Sequence, residues 1–260
     1  MPSDTVLSDY NASYFASAHG GQPCSRSAVA FFSGVARLRL AFVQRFLAKH
    51  RVEVERVLEF GPGPGWFARS WLESVPHGAY SAIETDRSCH DSLMRLGVVL
   101  VSTPVGVVSD LVVMSHVLEH VPDPVGFVRT ATQGLISGGV IFIEVPCRDW
   151  EHKSLDEPHV LFFDKTPMRK LLTDLGFVDV ELGYYGQPLR ELKSPSWLHA
   201  RWIQIRSKLI SLGCVAPFAT RRPGMESLAD PIERAVVAPF KAHVESVEPA
   251  WWLRAVARKV

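Results

Sequence analysis

The sequence has few cysteines, almost no net charge and no long hydrophobic run. Its four cysteines are scattered and form no CxxC pair, which argues against a metal cluster or a disulfide framework and predicts reduced thiols in the cytoplasm. The 28 basic and 27 acidic residues nearly cancel, so no overall basic field indicates a nucleic-acid partner. The first residues lack the apolar run of a signal peptide.

The most apolar stretch, residues 98–118, is interrupted by Pro104, Gly106 and Asp110. A membrane-spanning helix needs about 20 apolar residues in succession. We therefore expect two buried strands with a turn between them, and no transmembrane segment.

Short apolar segments alternate with amphipathic ones over most of the chain. The predicted strands are 56–60, 80–84, 98–101, 111–114, 140–145, 177–182 and 251–259. The predicted helices are 28–50, 66–73, 88–96, 124–135 and 166–175, the last with Thr166 as its N-cap. This alternation predicts an α/β fold with a doubly wound, mostly parallel, Rossmann-like sheet.

Four regions follow from this pattern: an N-terminal arm (1–27), a core (28–186), a helical insertion (187–250) between strands six and seven, and a final strand (251–260). Helices are expected near 197–212 and 227–243 in the insertion. Residues 187–260 contain 12 basic and 6 acidic residues, so this part carries a charge of +6.

A glycine turn follows the first predicted strand, in the order Glu59-x-Gly61-x-Gly63-x-Gly65. Glycines allow the backbone to approach a ligand closely. A dinucleotide-binding fingerprint needs a small residue at its sixth position. Counted from Gly61 as the first, the sixth position in this chain is Trp66, so an NAD-linked oxidoreductase is disfavoured. A carboxylate at Glu59 would repel a pyrophosphate and attract an ammonium or sulfonium group. Glu84, after the second strand, suits a bidentate hydrogen bond to ribose hydroxyls.

Four segments carry a family resemblance: VLEFGPGPGWFA (57–68), AIETD (82–86), MSHVLEHVPDP (114–124) and PHVLFFDKTPMRKLLTDLGF (158–177). They resemble the class I S-adenosylmethionine-dependent methyltransferases, and most of all the small-molecule group with an LEHVPDP segment. The terminal WLRAVARK (252–259) is similar to that family's last, antiparallel strand. The resemblance implies a seven-stranded sheet and S-adenosylmethionine as the cofactor.

The resemblance also implies roles for individual residues. The methionyl end of the cofactor would be held by Glu59, Gly61, Gly63 and Gly65, the ribose by Glu84, and the pocket lined by Ser115 and His116. Family members often place an acid after strand three for the adenine amino group. This chain has none at 102–104, so we expect backbone groups and apolar packing to hold the adenine.

Methyl transfer requires alignment of nucleophile, methyl group and sulfur, and a hydroxyl or amine acceptor also benefits from a base. His116, His120 and His159 are the candidates near the crevice. A histidine bonded to backbone without a catalytic role is an equal alternative for each, and a structural role is favoured for His120. We prefer His159 as the base.

The segment His116-x-x-Glu119-His120 resembles the acid-x-x-Glu-His segment of ubiquinone-type O-methyltransferases, some of which use a divalent ion. The first acid is a histidine here, and a mixed nitrogen and oxygen set does not by itself indicate a metal. We predict no functional metal.

In the first helix of the insertion, an apolar stripe runs beside three cations. The stripe is Leu198, Trp202, Ile205, Leu209 and Leu212, and the cations are Arg201, Arg206 and Lys208. Our first interpretation is a helix packed on the core with its cations in water. The alternatives are a lid over the acceptor, a dimer contact, or a membrane-surface helix meeting anionic lipid.

These observations predict an enzyme that transfers a methyl group from S-adenosylmethionine to a small-molecule acceptor. The expected acceptor is a hydroxyl of a sugar, a glycan precursor or a secondary metabolite. The alternatives are a catalytically inactive S-adenosylmethionine-binding protein and, less favoured, the NAD-linked oxidoreductase. Nucleic-acid methylation is not expected, because no NPPY-type segment follows strand four and no basic–aromatic groove is evident.

Overall fold

The computed structural model describes residues 25–151, 159–193, 197–212, 241 and 245–260. Most of the predicted arm (1–27) and the predicted helix at 227–243 lie outside these residues. The helices are α1 Arg26–His50, α2 Trp66–Ser74, α3 His90–Arg95, α4 Pro124–Ala131, α5 Lys165–Asp174, α6 Leu189–Lys193 and α7 Trp197–Ser211. The strands are β1 Arg56–Phe60, β2 Ala79–Ile83, β3 Val99–Leu100, β4 Ser109–Ser115, β5 Leu135–Pro146, β6 Phe177–Pro188, β7 Glu245–Ser246 and β8 Ala250–Lys259.

The strands form one eight-stranded sheet in the order β3-β2-β1-β4-β5-β8-β6-β7. Strands β1 to β5 pair in parallel, and β8 lies antiparallel between β5 and β6. The predicted doubly wound α/β fold is confirmed. The strand count of seven was one too low, because β7 pairs only two residues with β6 and is too short to give a pattern in the sequence.

Each face of the sheet is covered by its own apolar layer. On one face, α1 and α2 pack residues such as Phe46 and Trp71 against Val57, Val113 and Phe142. On the other face, α4 and α5 cover the alternate residues of the same strands. This two-sided burial explains why β4 is buried at six of its seven positions and appears as a continuous apolar run.

Helix α1 begins at Arg26, two residues before the predicted start, because the Ser25 hydroxyl accepts a hydrogen bond from the Ala28 amide at 3.2 Å. The helix ends where Arg51 takes a left-handed conformation. Its length carries α1 across the sheet, so that Phe42 packs on Phe142 of β5 with ring centroids 5.9 Å apart. Nearer its start, Phe32 stacks on Trp66 directly after the glycine turn, with ring centroids 6.1 Å apart, so α1 also reaches the edge of the sheet where that turn lies.

Several predicted boundaries were wrong. The N-cap of α5 is Asp164 and not Thr166, because the Asp164 carboxylate accepts the Lys165 amide at 2.7 Å. Strand β3 is a two-residue edge strand in which Val99 is 59% exposed, so the expected buried strand there is not present. Strand β6 continues to Pro188, six residues beyond the predicted end at residue 182. None of the described helices combines the length and apolar character needed to cross a bilayer.

Candidate active site

The glycine turn joins β1 to α2 at the point where the strand order reverses between β1 and β4. Ligands of open parallel sheets bind beyond the strand ends at this position. Gly61, Gly63 and Gly65 all have positive φ angles, of 60°, 55° and 87°. A β-carbon on Gly61 would lie 2.8 Å from Val117, and one on Gly65 would lie 2.7 Å from Leu96. Among the described residues, none lies within 4 Å of a β-carbon placed on Gly63, so this part of the protein leaves the turn open to a ligand at its middle glycine.

Glu59 is buried at the end of β1, with 2% of its surface exposed. Its carboxylate accepts a hydrogen bond of 2.6 Å from the Tyr80 hydroxyl on the neighbouring strand. Burial raises the pKa of Glu59 to about 7, although the Tyr80 hydrogen bond and the Arg39 charge oppose the shift. Glu59 therefore changes its charge near neutral pH, directly before the glycine turn.

Glu84 follows β2 and is tied to the glycine turn. Its two carboxylate oxygens accept the backbone amides of Gly63 and Asp86, each at 2.8 Å. Burial raises the pKa of Glu84, and the backbone hydrogen bonds partly offset that effect. The carboxylate thus ties the end of β2 to the glycine turn, a second role that the sequence did not indicate.

Ser115 and His116 end β4 on the far side of the turn. The Ser115 hydroxyl is buried and has no hydrogen-bond partner among the residues that the structure describes. His116 has a φ of 56°, and its amide donates to the Glu144 carbonyl at 2.8 Å. Its ring nitrogens lie 3.2 Å from Glu119 and 3.4 Å from Glu144. Burial opposes the charged ring, but the two carboxylates outweigh it and raise the pKa of His116.

The sequence prediction missed a buried ionic network beside His116. Glu144 of β5 is completely buried and accepts the guanidinium of Arg254 at 2.6 Å and that of Arg39 at 2.7 Å. Burial alone would raise the pKa of Glu144, but Arg39 and Arg254 hold it well below its ordinary value. Charged residues inside the apolar segments VIFIEV (140–145) and AWWLRAVA (250–257) were the available signal.

Glu119 brings the other two predicted histidines together. It is 1% exposed, and its backbone carbonyl accepts the Val160 and Leu161 amides at 2.9 and 3.2 Å, which fixes the chain beside His159. The rings of His120 and His159 meet edge to face, with centroids 4.8 Å apart. Burial would raise the pKa of Glu119, but His116 keeps it lowered.

Glu119, His120 and His159 could also hold a metal ion, because one ligand atom from each lies within 4.8 Å of the others. Two imidazoles and a carboxylate suit zinc or iron better than magnesium. In the structure, Glu119 and His120 lie close to His159. The ring of His116 instead contacts the carboxylates of Glu119 and Glu144. The expectation that the protein needs no metal stays a prediction.

The sheet, its switch point and the glycine turn define a Rossmann-like fold, in which the general rule for open parallel sheets predicts a ligand site between the ends of β1 and β4. Residues 31–182 match the family model described as a methyltransferase domain, and this span is more than half of the chain. The protein belongs to this methyltransferase-domain family.

Solved structures show the same fold at low sequence identity. The plantazolicin methyltransferase BpumL, solved with a monoazolic desmethylPZN analog and SAH, is 14% identical with a TM-score of 0.56, covering 98% of this chain and 96% of that one. A SAM-dependent methyltransferase from Archaeoglobus fulgidus is 15% identical with a TM-score of 0.52, covering 86% and 94%. A Thermotoga maritima protein described as a possible histamine N-methyltransferase is 14% identical with a TM-score of 0.50, covering 85% and 96%. No protein of curated function matches the chain in sequence.

Proposed function

We propose that this protein transfers a methyl group from S-adenosylmethionine to a small-molecule acceptor. One observation carries the proposal: a buried acid and a glycine turn, open at Gly63, lie at the switch point of the sheet in a member of a methyltransferase family. The structural neighbours whose descriptions name SAM or SAH support this choice of cofactor.

The residues around the turn fit the cofactor. Gly63 leaves space for its methionyl end, and Glu59 offers a negative charge to its cationic groups. The two Glu84 oxygens accept the backbone amides of Asp86 and Gly63, and a carboxylate has about four acceptor sites, so it can also accept a hydrogen bond from a ribose hydroxyl. The buried Ser115 hydroxyl, which no described residue hydrogen-bonds, is a further polar group for the ligand. The bound cofactor supplies an electrophilic methyl group on its sulfonium.

For the acceptor we propose a hydroxyl of a sugar, glycan precursor or secondary metabolite, with His159 as the base. His116 is less suited to accept a proton, because Glu119 and Glu144 raise its pKa and stabilise its charged form. His120 is nearly buried, whereas His159 is partly exposed beside it. His116 and His120 then have positioning roles: His116 contacts Glu119, and His120 packs against the ring of His159. Amine acceptors, which the description of the Thermotoga maritima neighbour suggests, are the alternative that an acceptor screen decides.

We also propose that the chain is divided into the arm, core, insertion and final strand given above. We further propose a cytoplasmic location. Neither of the described cysteines, Cys89 and Cys147, is in a disulfide, and both are buried, which suits reduced thiols. Burial raises the pKa of Cys147 to about 12, so its thiol is protonated and unreactive at neutral pH.

Binding calorimetry with S-adenosylmethionine, S-adenosylhomocysteine and NAD tests the cofactor. We expect both adenosyl ligands to bind and NAD not to bind. Gly63→Ala should weaken the adenosyl ligands about tenfold or more, because the new methyl group occupies the open side of the turn. NAD binding more tightly than the adenosyl ligands would overturn the assignment.

Gly176→Ala is the matched control. Gly176 also has a positive φ, 83°, and no described residue within 4 Å of an added β-carbon, but it lies between α5 and β6, at the edge of the sheet opposite the glycine turn. Both variants should therefore lose similar stability from backbone strain, and only Gly63→Ala should lose affinity. Equal affinities in the two variants would exclude Gly63 from the ligand site. Binding without methyl transfer to any screened acceptor would favour the inactive binding protein.

Cofactor affinity is expected to rise with pH toward about 7 and then level off. The sulfonium is permanently charged, and the Glu59 carboxylate attracts it only when ionised, which occurs above its pKa of about 7. Calorimetry at several pH values measures the effect, and Glu59→Gln should abolish the rise. A rise of the same size in Glu59→Gln would assign the pH dependence to another group.

A further inference from the structure

Helix α7 exposes its apolar stripe to solvent and packs its other side on the protein. Leu198 is 62% exposed, Trp202 51%, Ile205 49%, Leu209 39% and Leu212 66%. At 100° per residue these five side chains fall within about 80° of arc. On another side of the helix, Arg206 is 7% exposed, and α7 contacts α1. The helix packs on the core, as the first interpretation of the sequence expects, but the apolar stripe is not the side that packs, and Arg206 is buried where a cation in water was expected.

Positive charge runs along one edge of the exposed stripe. Arg201 and Lys208 are both exposed, and at 100° per residue they lie on the same side of the stripe, next to Trp197, which is 73% exposed. Within the described ranges neither cation is part of an ion pair. Residues 197–211 contain no acidic side chain at all.

This arrangement favours a lipid surface over another protein. Amphipathic helices that lie in the membrane interface have an apolar face with tryptophan or leucine, and cations beside it that meet anionic headgroups. Tryptophan side chains are also enriched at the headgroup level. A second copy of α7 would bring Arg201 and Lys208 close to the same cations without an acid on the helix to pair with them.

We propose that α7 docks on membranes that contain anionic lipid. The stripe from Leu198 to Leu212 inserts at the headgroup boundary, and Arg201 and Lys208 contact lipid phosphates. Strand β6 ends at the edge of the sheet where the carboxyl ends of the parallel strands meet, and α7 begins nine residues after Pro188. Docking needs only the exposed stripe of α7 at the bilayer surface, so the protein does not have to span the membrane. The docking proposal does not depend on the proposed methyl transfer.

Cosedimentation of the full chain with vesicles tests this proposal. Vesicles of phosphatidylcholine with phosphatidylglycerol should bind the protein, and vesicles of phosphatidylcholine alone should bind it much more weakly. Trp202→Gln should weaken binding to the anionic vesicles about tenfold or more, because it removes a side chain that burial in the interface stabilises. Arg201→Gln and Lys208→Gln should each weaken it about fivefold, and added salt should remove that difference.

Trp150→Gln is the matched control, because Trp150 is 45% exposed and lies outside α7. It should leave vesicle binding unchanged. The proposal is overturned if the wild-type protein does not bind anionic vesicles, or if Trp150→Gln weakens binding as much as Trp202→Gln. Sedimentation velocity without vesicles measures whether the protein forms a dimer. If it does, and if Trp202→Gln dissociates that dimer, the stripe contacts a second copy of the chain and the lipid proposal is overturned.

Discussion

His159→Gln is expected to lower the turnover number about 10²–10⁴-fold while leaving cofactor affinity nearly unchanged. Glutamine keeps a polar side chain of similar length but cannot accept a proton from the acceptor. The ascending limb of the pH–rate profile should disappear in the variant. Single-turnover kinetics with the true acceptor, together with calorimetry of cofactor binding, measure both quantities.

The structure supports the choice of His159 through its neighbours. The centroid of its ring lies 4.8 Å from that of His120, and the amides of Val160 and Leu161 donate to the Glu119 carbonyl, so residues 159–161 are fixed beside the segment that follows β4. A base held on two strand ends keeps its orientation toward an acceptor that enters the crevice. His159 is partly exposed, as a group that must reach the acceptor requires.

His50→Gln provides the control, because His50 lies at the end of α1 beside Asp179 and Glu181 and outside the crevice. It should retain wild-type turnover. A chelator separates the base from a metal ligand: activity lost on chelation and restored by zinc or manganese would mean that Glu119, His120 and His159 bind a metal. A His159→Gln enzyme within about threefold of wild type would refute the role as base.

Glu144→Gln is expected to lower the free energy of unfolding by about 3–5 kcal/mol. The variant removes the charge that Arg39, Arg254 and His116 share, and it leaves Arg254 buried, at 1% exposure, without a carboxylate. For a chain of this size the melting temperature should fall by about 10 °C. Urea denaturation and thermal melts measure the loss.

Glu73→Gln is the matched control, because the Glu73 side chain is half exposed and pairs with Arg37 at 3.3 Å. Exposed pairs of this kind contribute less than about 1 kcal/mol. The double variant Glu144→Leu with Arg254→Met replaces the buried ions by apolar groups and should recover part of the lost stability. Equal losses in Glu144→Gln and Glu73→Gln would show that the buried network does not stabilise the fold.

The network also makes stability depend on pH. The pKa of Glu144 is lower in the folded protein than in the unfolded chain, so the unfolded state takes up a proton first as the pH falls. The stabilisation is therefore complete above the ordinary carboxyl pKa and is lost as the pH falls toward the lowered folded value. Glu144→Gln should lack this component of the acid-induced loss of stability, which denaturation at several acidic pH values can measure.

The sequence was most informative where a local pattern carries the physical cause. The strand at 56–60 and the start of the following helix were predicted correctly, because a short apolar run, a glycine turn and an amphipathic segment are all local signals. Boundaries were less accurate where a neighbour decides them. Strand β5 begins at Leu135, which the helix prediction had included, because Leu135 follows the end of α4 and its neighbour Gly134 accepts the Ser109 amide of β4.

By itself the sequence determined the α/β class, the glycine turn after the first strand and the acids Glu59 and Glu84 beside it. Each depends on residues close together in the chain. Only the tertiary structure decided that Glu144 and Arg254, 110 residues apart, form a buried pair, and that Glu119 lies between His116 and the pair His120 and His159. Such contacts depend on strand order and register. The side of α7 that packs on the core also depended on the tertiary structure, because periodicity identifies an apolar face of a helix but does not show what that face contacts.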